Sequence, residues 1–276
     1  MFDNHIHSLH SFDVSNDKEN AVFELCKTAM KKGFGGISIT DHFDIDAIRD
    51  GVFPPLDHDS VMKDVLAAKE EFNGRLSVCL GIELGQATHM PCESNALLEK
   101  YPYDIVLGSI HAVRGIDDFH DVDYKSLTKN EYIALWDLYI EEMLDTIKWG
   151  NIDVLTHITY PKRYYLRHGI PDFPDIKNHG REYFEPVFKA IIEKGITLEC
   201  NTSGLRQQLS ECLPNRDLLS FYYELGGRDV TLGSDAHRAD DIGADFKNAT
   251  EMLLDIGFKH YAVFDKRNKS YLNLEE

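Results

Sequence analysis

The chain has 276 residues, and its 29 basic and 47 acidic side chains give a formal net charge of −18. This charge argues against a nucleic-acid partner, because binding to nucleic acids depends on lysine and arginine. A hydrophobic fraction of 43% is enough to bury a sizeable core, which excludes a largely disordered chain. No apolar run approaches the roughly 20 residues that cross a bilayer, and the amino terminus has no signal-peptide pattern, so we expect a cytoplasmic protein with no membrane partner.

Amphipathic segments that each end at a glycine predict a series of helices. In the first segment Val22, Leu25 and Ala29 fall at helical spacing, with charged residues between them. A glycine after the last turn can adopt the left-handed conformation that ends a helix. The predicted helices cover residues 17–32, 59–73 and 129–149, and three more end at Gly195, Gly226 and Gly257.

Short apolar or β-branched runs follow most of these helices and predict strands. They cover residues 36–40, 76–80, 105–110, 153–156, 196–200 and 229–232, and a further strand leads into His5. Strands that alternate with helices indicate an α/β fold with a parallel sheet, and seven of them suit a (β/α)7 barrel. Residues 169–180 contain prolines and glycines and are interpreted as a loop, so residues 1–276 are predicted to form one domain.

Side chains that can bind a metal ion stand at the carboxyl ends of the predicted strands. These residues are His5, His7, His42, Glu83, His111, His157, Asp235 and His237. One such histidine alone is more often a hydrogen-bonded loop or core residue. However, active sites of α/β barrels are built at this end of the strands, and burying so many unpaired polar groups would be costly. The set therefore predicts a metal site, whereas Asp13 could equally belong to a turn or a helix start.

The chemistry of these ligands narrows the choice of metal. Imidazole and carboxylate ligands favour Zn, Mn or Fe over Ca or Mg, which prefer oxygen ligands alone. The five cysteines are widely separated and include no Cys-x-x-Cys pair, which argues against a disulfide scaffold and against a thiolate zinc site. Nine candidate ligands, with Asp13 included, exceed the needs of one ion. They predict a site for two or three divalent metal ions, for which hydrolysis is the natural chemistry.

Six short motifs carry these residues between residue 3 and residue 237. They are Asp3-Asn4-His5-Ile6-His7-Ser8 followed by Asp13, then Thr40-Asp41-His42, Gly81-Ile82-Glu83, Gly108-Ser109-Ile110-His111, Leu155-Thr156-His157 and Gly233-Ser234-Asp235-Ala236-His237. As a set, the motifs resemble those of the PHP (polymerase and histidinol phosphatase) family, and more narrowly its monofunctional histidinol-phosphate phosphatase branch. The resemblance implies a distorted seven-stranded, TIM-like (β/α) barrel with a trinuclear metal centre.

The resemblance also implies which residues hold each metal. The first ion would be held by His5, His7, Glu83 and Asp235. Glu83 would bridge to a second ion, which would be held by His111 and His157. The third ion would be held by Asp13, His42 and His237.

The activity that the resemblance implies is hydrolysis of L-histidinol phosphate to L-histidinol and phosphate, a step of histidine biosynthesis, by attack of a metal-bridging hydroxide. Arginines at the positions of Arg163 and Arg206 bind phosphate in that branch, although an arginine at such a place is by itself more often a surface residue paired with an acid. For the proton of the leaving alcohol, Asp235 is our candidate and a water on the third metal is the rival.

Two other functions stay open at this stage. The chain could be a PHP phosphoesterase that acts on nucleotides or on another small phosphate ester, because the metal motifs are shared across the family. It could also be a non-catalytic PHP module that supports a partner protein. The complete ligand set favours an enzyme whose partner is a small phosphate monoester, and we assign no oligomeric state from the sequence.

Overall fold

Helices and parallel strands alternate along the chain, as the apolar and amphipathic runs predict. The structure, a computed structural model, describes residues 1–169 and 180–275, so most of the loop predicted for residues 169–180 lies outside the described residues. Within these ranges, every helix is too short or too polar to span a bilayer. The strands are β1 (Phe2–Ile6), β2 (Gly36–Ile39), β3 (His42–Asp44), β4 (Ser77–Gly85), β5 (Ile105–Ser109), β6 (Val154–Leu155), β7 (Thr197–Asn201), β8 (Val230–Gly233), β9 (His260–Asp265) and β10 (Asn268–Asn273). The helices are α1 (Val22–Lys31), α2 (Ile45–Arg49), α3 (His58–Glu71), α4 (Pro91–Lys100), α5 (Lys129–Trp149), α6 (Lys162–Arg167), α7 (Arg181–Lys194), α8 (Arg216–Glu224) and α9 (Phe246–Ile256).

The first eight strands form one parallel sheet. Its order is β1-β2-β4-β5-β6-β7-β8, and β3 pairs with the second half of β4. Beyond the end of β8 the chain meets β1 again, where Ile6 bridges Ala236 and the N–H of Asp235 donates to the carbonyl of His5 at 2.8 Å. These contacts nearly close a seven-stranded barrel, with helices packed against its strands. The predicted (β/α)7 barrel is therefore confirmed.

Capping residues explain why some predicted helix ends are correct and others shift. Helix α5 spans the predicted residues 129–149 because Thr128 and Glu131 form a capping box at its start and Gly150, at φ 77°, ends it. Helix α1 begins at Val22 rather than at residue 17, because a separate 3-10 turn precedes it and Ala21 is extended. Amphipathic spacing locates these helices, and the local caps set their ends.

The antiparallel hairpin of β9 and β10 covers one end of the barrel. Ala262 and Phe264 in β9 pack with Ile105, Leu107 and Val154 in a separate buried apolar cluster. Ile105 and Val154 are the first residues of β5 and β6, so the hairpin lies at the amino-terminal end of the barrel strands. The carboxyl ends, where the candidate ligands stand, are left free of it.

Candidate active site

The nine candidate metal ligands meet at the carboxyl-terminal end of the barrel. His5 lies in β1 and Glu83 in β4, while His42 begins β3. The others, His7, Asp13, His111, His157, Asp235 and His237, follow strands β1, β5, β6 and β8. His5, His7 and Glu83 have no exposed surface at all. The fold thus gathers into one cluster side chains from motifs spread along most of the chain.

Glu83 lies at the centre of this cluster. Its Oε2 is 3.2 Å from Nε2 of His5 and 2.9 Å from Nδ1 of His42. Its Oε1 is 2.8 Å from Nε2 of His157 and 3.2 Å from Nε2 of His111. Because its two oxygens face different histidines, this carboxylate is suited to bridge two metal ions.

A first group of ligand atoms surrounds His7. Its Nε2 lies 3.1 Å from Nε2 of His5, 3.3 Å from Oδ1 of Asp235 and 3.4 Å from Oε2 of Glu83. Two atoms bound to one zinc ion at about 2.1 Å in a tetrahedral arrangement lie roughly 3.4 Å apart. The spacing of these four side chains therefore fits a shared metal ion. Among the described residues, four sets of three side chains have ligand atoms within 4.8 Å of one another.

Asp13 completes a group at the outer side of the cluster. Its Oδ2 lies 2.8 Å from Nε2 of His237 and 3.4 Å from Nε2 of His42. The ring of His7 is 4.2 Å from both of these histidine rings, which places this group beside the first one. Asp13 and His237 are about one third exposed, so this group faces solvent more than the others do. The fold thus brings Asp13 to the other eight candidates.

Burial and neighbouring charges shift the pKa values of the carboxylates and imidazoles in the cluster. Burial would raise the pKa of Glu83, but neighbouring histidines, His42 first, hold it well below its ordinary value. Burial would lower the pKa of His5, but nearby carboxylates raise it well above its ordinary value. Burial and the charge of His237 lower the pKa of His7 to about 3, which keeps this imidazole neutral. A metal ion that binds here must displace the protons held between these groups.

Glu199, which the sequence analysis did not single out, orients two of the candidate ligands. The carboxylate is buried in β7, and its Oε1 lies 2.7 Å from Nδ1 of His5. Its Oε2 accepts from the backbone N–H of His157 at 2.9 Å and from the side chain of Asn201 at 3.1 Å. A carboxylate on Nδ1 fixes the imidazole with Nε2 free to bind a metal. The signal that could have found it is a charged residue in an otherwise apolar predicted strand.

Asp44 performs the same task for His111 and was also missed. Its Oδ1 lies 2.7 Å from Nδ1 of His111, and the side chain is buried. Glycines make room for both carboxylates. A Cβ on Gly85 would lie 2.1 Å from Oδ1 of Asp44, and a Cβ on Gly233 would lie 2.2 Å from Oε1 of Glu199. Both glycines therefore allow a close approach that no other residue would permit without a shift.

A cavity of about 480 Å³ opens onto the cluster, and Arg163 contributes to its wall. The guanidinium lies 4.7 Å from the ring centroid of Tyr160, and its Nη2 donates to Oγ of Ser203 at 3.2 Å. The same Nη2 is 4.0 Å from Oδ2 of Asp235. Arg163 thus combines a fork of donors with a position beside the candidate metal ligands, which is what phosphate binding requires.

Arg206 is placed differently. Its Nη2 donates to the carbonyl of Ser234 at 2.7 Å, its Nε lies 3.8 Å from Asp241, and the side chain is not among those that line the cavity. Its role in phosphate binding stays a prediction.

Two histidines outside the nine candidate ligands lie in different surroundings. His120 lines the cavity, whereas each ring nitrogen of His89 faces a carboxylate.

Comparison with known proteins agrees with this geometry. The family model of the PHP domain matches residues 3–203. A relative from Clostridium acetobutylicum, named probable histidinol-phosphatase, is 35% identical over 274 residues, which cover 98% of this chain and 99% of the relative. The chain belongs to the PHP domain family. The family resemblance carried by the six motifs is thereby confirmed.

A further relative and a solved structure each match most of the chain. The histidinol-phosphatase of Bacillus subtilis is 27% identical over 263 residues, which cover 87% of this chain and 95% of that protein. A crystal structure of histidinol phosphate phosphatase from Lactococcus lactis, complexed with zinc, L-histidinol and phosphate, covers 98% of both chains with a TM-score of 0.79. At 24% identity this last similarity supports the fold alone.

Proposed function

We propose that this chain is a metal-dependent phosphatase that hydrolyses L-histidinol phosphate to L-histidinol and phosphate. The observation that carries the proposal is the end-to-end similarity to the relative from Clostridium acetobutylicum, which is named for this activity. The site described above supplies the matching chemistry, with a dense set of metal-type ligands and a partly buried arginine beside one cavity. We further propose that residues 1–276 form a single catalytic domain.

Distances within the cluster support the ligand sets that the family motifs imply. We propose that His5, His7, Glu83 and Asp235 hold one ion, that Glu83, His111 and His157 hold a second, and that Asp13, His42 and His237 hold a third. Zinc, manganese and iron each suit such mixed imidazole and carboxylate sites. Divalent ions bound there would activate the attacking water and neutralise charge that develops on the phosphate.

The residues of the chain then divide the remaining work. Arg163 would bind phosphate oxygens, and the ring of Tyr160 beneath its guanidinium would keep the fork aimed at the cavity. Burial would raise the pKa of Asp235, but His5 and other histidines hold it well below its ordinary value. Asp235 therefore starts ionised. As the proposed proton carrier, it would first take the proton from the attacking water and then pass it to the leaving alcohol.

The test is the initial rate of phosphate release from L-histidinol phosphate by zinc-loaded or manganese-loaded protein. A simple aryl phosphate and a nucleotide monophosphate are the comparison substrates, and the variant Glu83→Gln is the inactive control. We expect a kcat/KM of about 10⁴ M⁻¹s⁻¹ or above for histidinol phosphate alone. Equal, slow rates on all three esters would exclude the proposed substrate, and preference for the nucleotide would favour the alternative phosphoesterase.

A further inference from the structure

A chain of hydrogen bonds leads from the backbone of His111 to a histidine outside the metal cluster. The N–H of His111 donates to Oε1 of Gln86 at 3.2 Å, and Nε2 of Gln86 donates to Oδ1 of Asp46 at 3.3 Å. The other oxygen of this carboxylate, Oδ2, lies 2.5 Å from Nδ1 of His89. His111 is therefore tied to three side chains that are not themselves proposed metal ligands.

Glu142, in α5, closes this chain on the far side of the loop that follows β5. Its Oε1 lies 3.0 Å from Nε2 of His89 and accepts from the backbone N–H of Arg114 at 3.2 Å. The segment from His111 to Arg114 is thus held by a backbone N–H at each end. The four side chains that connect these two ends are called the His89 network: Gln86, Asp46, His89 and Glu142.

Opposite charges hold the His89 network together. Burial would lower the pKa of His89, but its two carboxylate neighbours raise it to about 9. Burial would raise the pKa of Asp46 and of Glu142, but His89 lowers both. A charged imidazole donates from both nitrogens, so each carboxylate receives a charge-assisted hydrogen bond. The side chains of His89 and Glu142 are only 7% and 8% exposed, which limits competition from water.

Gln86 connects this network to the strand that carries Glu83. It directly follows β4, it is buried, and its backbone is left-handed at φ 49°. This conformation is unfavourable for a residue with a long side chain and persists where surrounding contacts hold it. The N–H of Gln86 also donates to the carbonyl of Ser109, the last residue of β5, at 3.1 Å. Gln86 therefore fixes His111 relative to Glu83.

We propose that the His89 network positions His111 to bind the second metal ion, with Gln86 and His89 as positioning residues for that ion. This inference rests on the proposed function, which makes His111 a ligand of the second ion. Asp46 lies two residues after Asp44, whose Oδ1 contacts Nδ1 of His111 at 2.7 Å, so the network also anchors α2 beside that contact. Both the backbone and the imidazole of His111 depend on it.

The experiment is a competition titration of metal-free protein with zinc and a chelator of known affinity, which resolves the successive binding steps. We expect Gln86→Met, which keeps the length of the side chain and removes its amide, to weaken one step by about 10-fold and to leave the other steps unchanged. The matched control Gln208→Met makes the same change at an exposed position and should bind zinc like the wild type. In His111→Ala, which removes a ligand of the second ion, Gln86→Met should cause no further loss.

The variant His89→Gln interrupts the network at a distance from the ligands and separates positioning from general stability. Near neutral pH we expect it to weaken the same zinc-binding step as Gln86→Met, by about 3-fold or more. Because both substitutions act through one network, the double variant should lose less affinity than the product of the two single losses.

The outcomes separate this inference from the proposed function. Wild-type zinc binding in both single variants would show that the network does not position His111. An equal loss at every binding step, or a double variant whose losses multiply, would also overturn the inference, because general destabilisation explains that result. If the selective loss is observed but the wild-type protein releases no phosphate from L-histidinol phosphate, the proposed function fails and the role of the network stands.

Discussion

The substitution Glu199→Gln tests whether this carboxylate prepares the metal centre. Glu199 accepts from Nδ1 of His5, from the N–H of His157 and from the amide of Asn201, at 2.7, 2.9 and 3.1 Å. The glutamine side chain has one acceptor oxygen and one NH₂ group where glutamate has two acceptor oxygens. If its oxygen faces His5, the NH₂ group meets two donors. If its NH₂ group faces His5, the proton of that imidazole moves to Nε2, which can then no longer bind a metal.

Either orientation weakens the first metal site. Loss of such an orienting partner costs about 10- to 100-fold in metal affinity, which corresponds to about 1.4 to 2.7 kcal/mol. We expect this loss in a competition titration of metal-free protein with zinc and a chelator of known affinity. Glu251→Gln, at an exposed position, is the matched control and should bind zinc like the wild type. Wild-type affinity and stoichiometry in Glu199→Gln would refute the role given to this residue.

Three further predictions concern other parts of the chain. Gly233→Ala should lower the free energy of unfolding by about 1–3 kcal/mol in denaturant titrations, because its Cβ would lie 2.2 Å from Glu199; wild-type stability would contradict the close approach. Burial would lower the pKa of His89, but two neighbouring carboxylates raise it to about 9. The charged imidazole therefore stabilises the fold fully below about pH 6.5, and this contribution disappears as the pH rises through 9. The stability difference between wild type and His89→Gln should therefore shrink, from an order of 1–2 kcal/mol, between pH 6 and pH 9, and a constant difference would be inconsistent with it. Arg163→Lys should reduce kcat/KM by about 10- to 100-fold in phosphate-release assays, because lysine has no forked pair of donors. The control Arg216→Lys, at an exposed position, should leave kcat/KM unchanged. Equal rates in both variants would exclude Arg163 from phosphate binding.

Features with a local physical signature could be predicted from the sequence. Helix α5 is correct at both ends because its caps, Thr128 and Gly150, are adjacent to it in the chain. The barrel and the position of the ligands follow from seven predicted strands, six of which precede a histidine or carboxylate. Strand β3 was missed because it has three residues, of which His42 and Asp44 are polar, and β10 because most of its residues are polar and exposed.

Features that depend on tertiary contacts could not be predicted in the same way. Glu199 acquires its role only when β7 is placed beside the histidines of β1 and β6, and Gly233 acquires its role only beside Glu199. The sequence places both Arg163 and Arg206 a few residues after their predicted strands, yet Arg163 lines the cavity and Arg206 donates to a backbone carbonyl. Direction of a loop side chain is set by packing, which spacing along the chain does not encode.

The most direct test of the central claim is a metal titration of metal-free protein, followed by phosphate release from L-histidinol phosphate. The three ion sites proposed above predict that activity rises with added zinc or manganese and reaches a plateau near three equivalents per chain. Activity that is independent of added metal, or a protein that binds the ions and releases no phosphate from this substrate, would contradict the account.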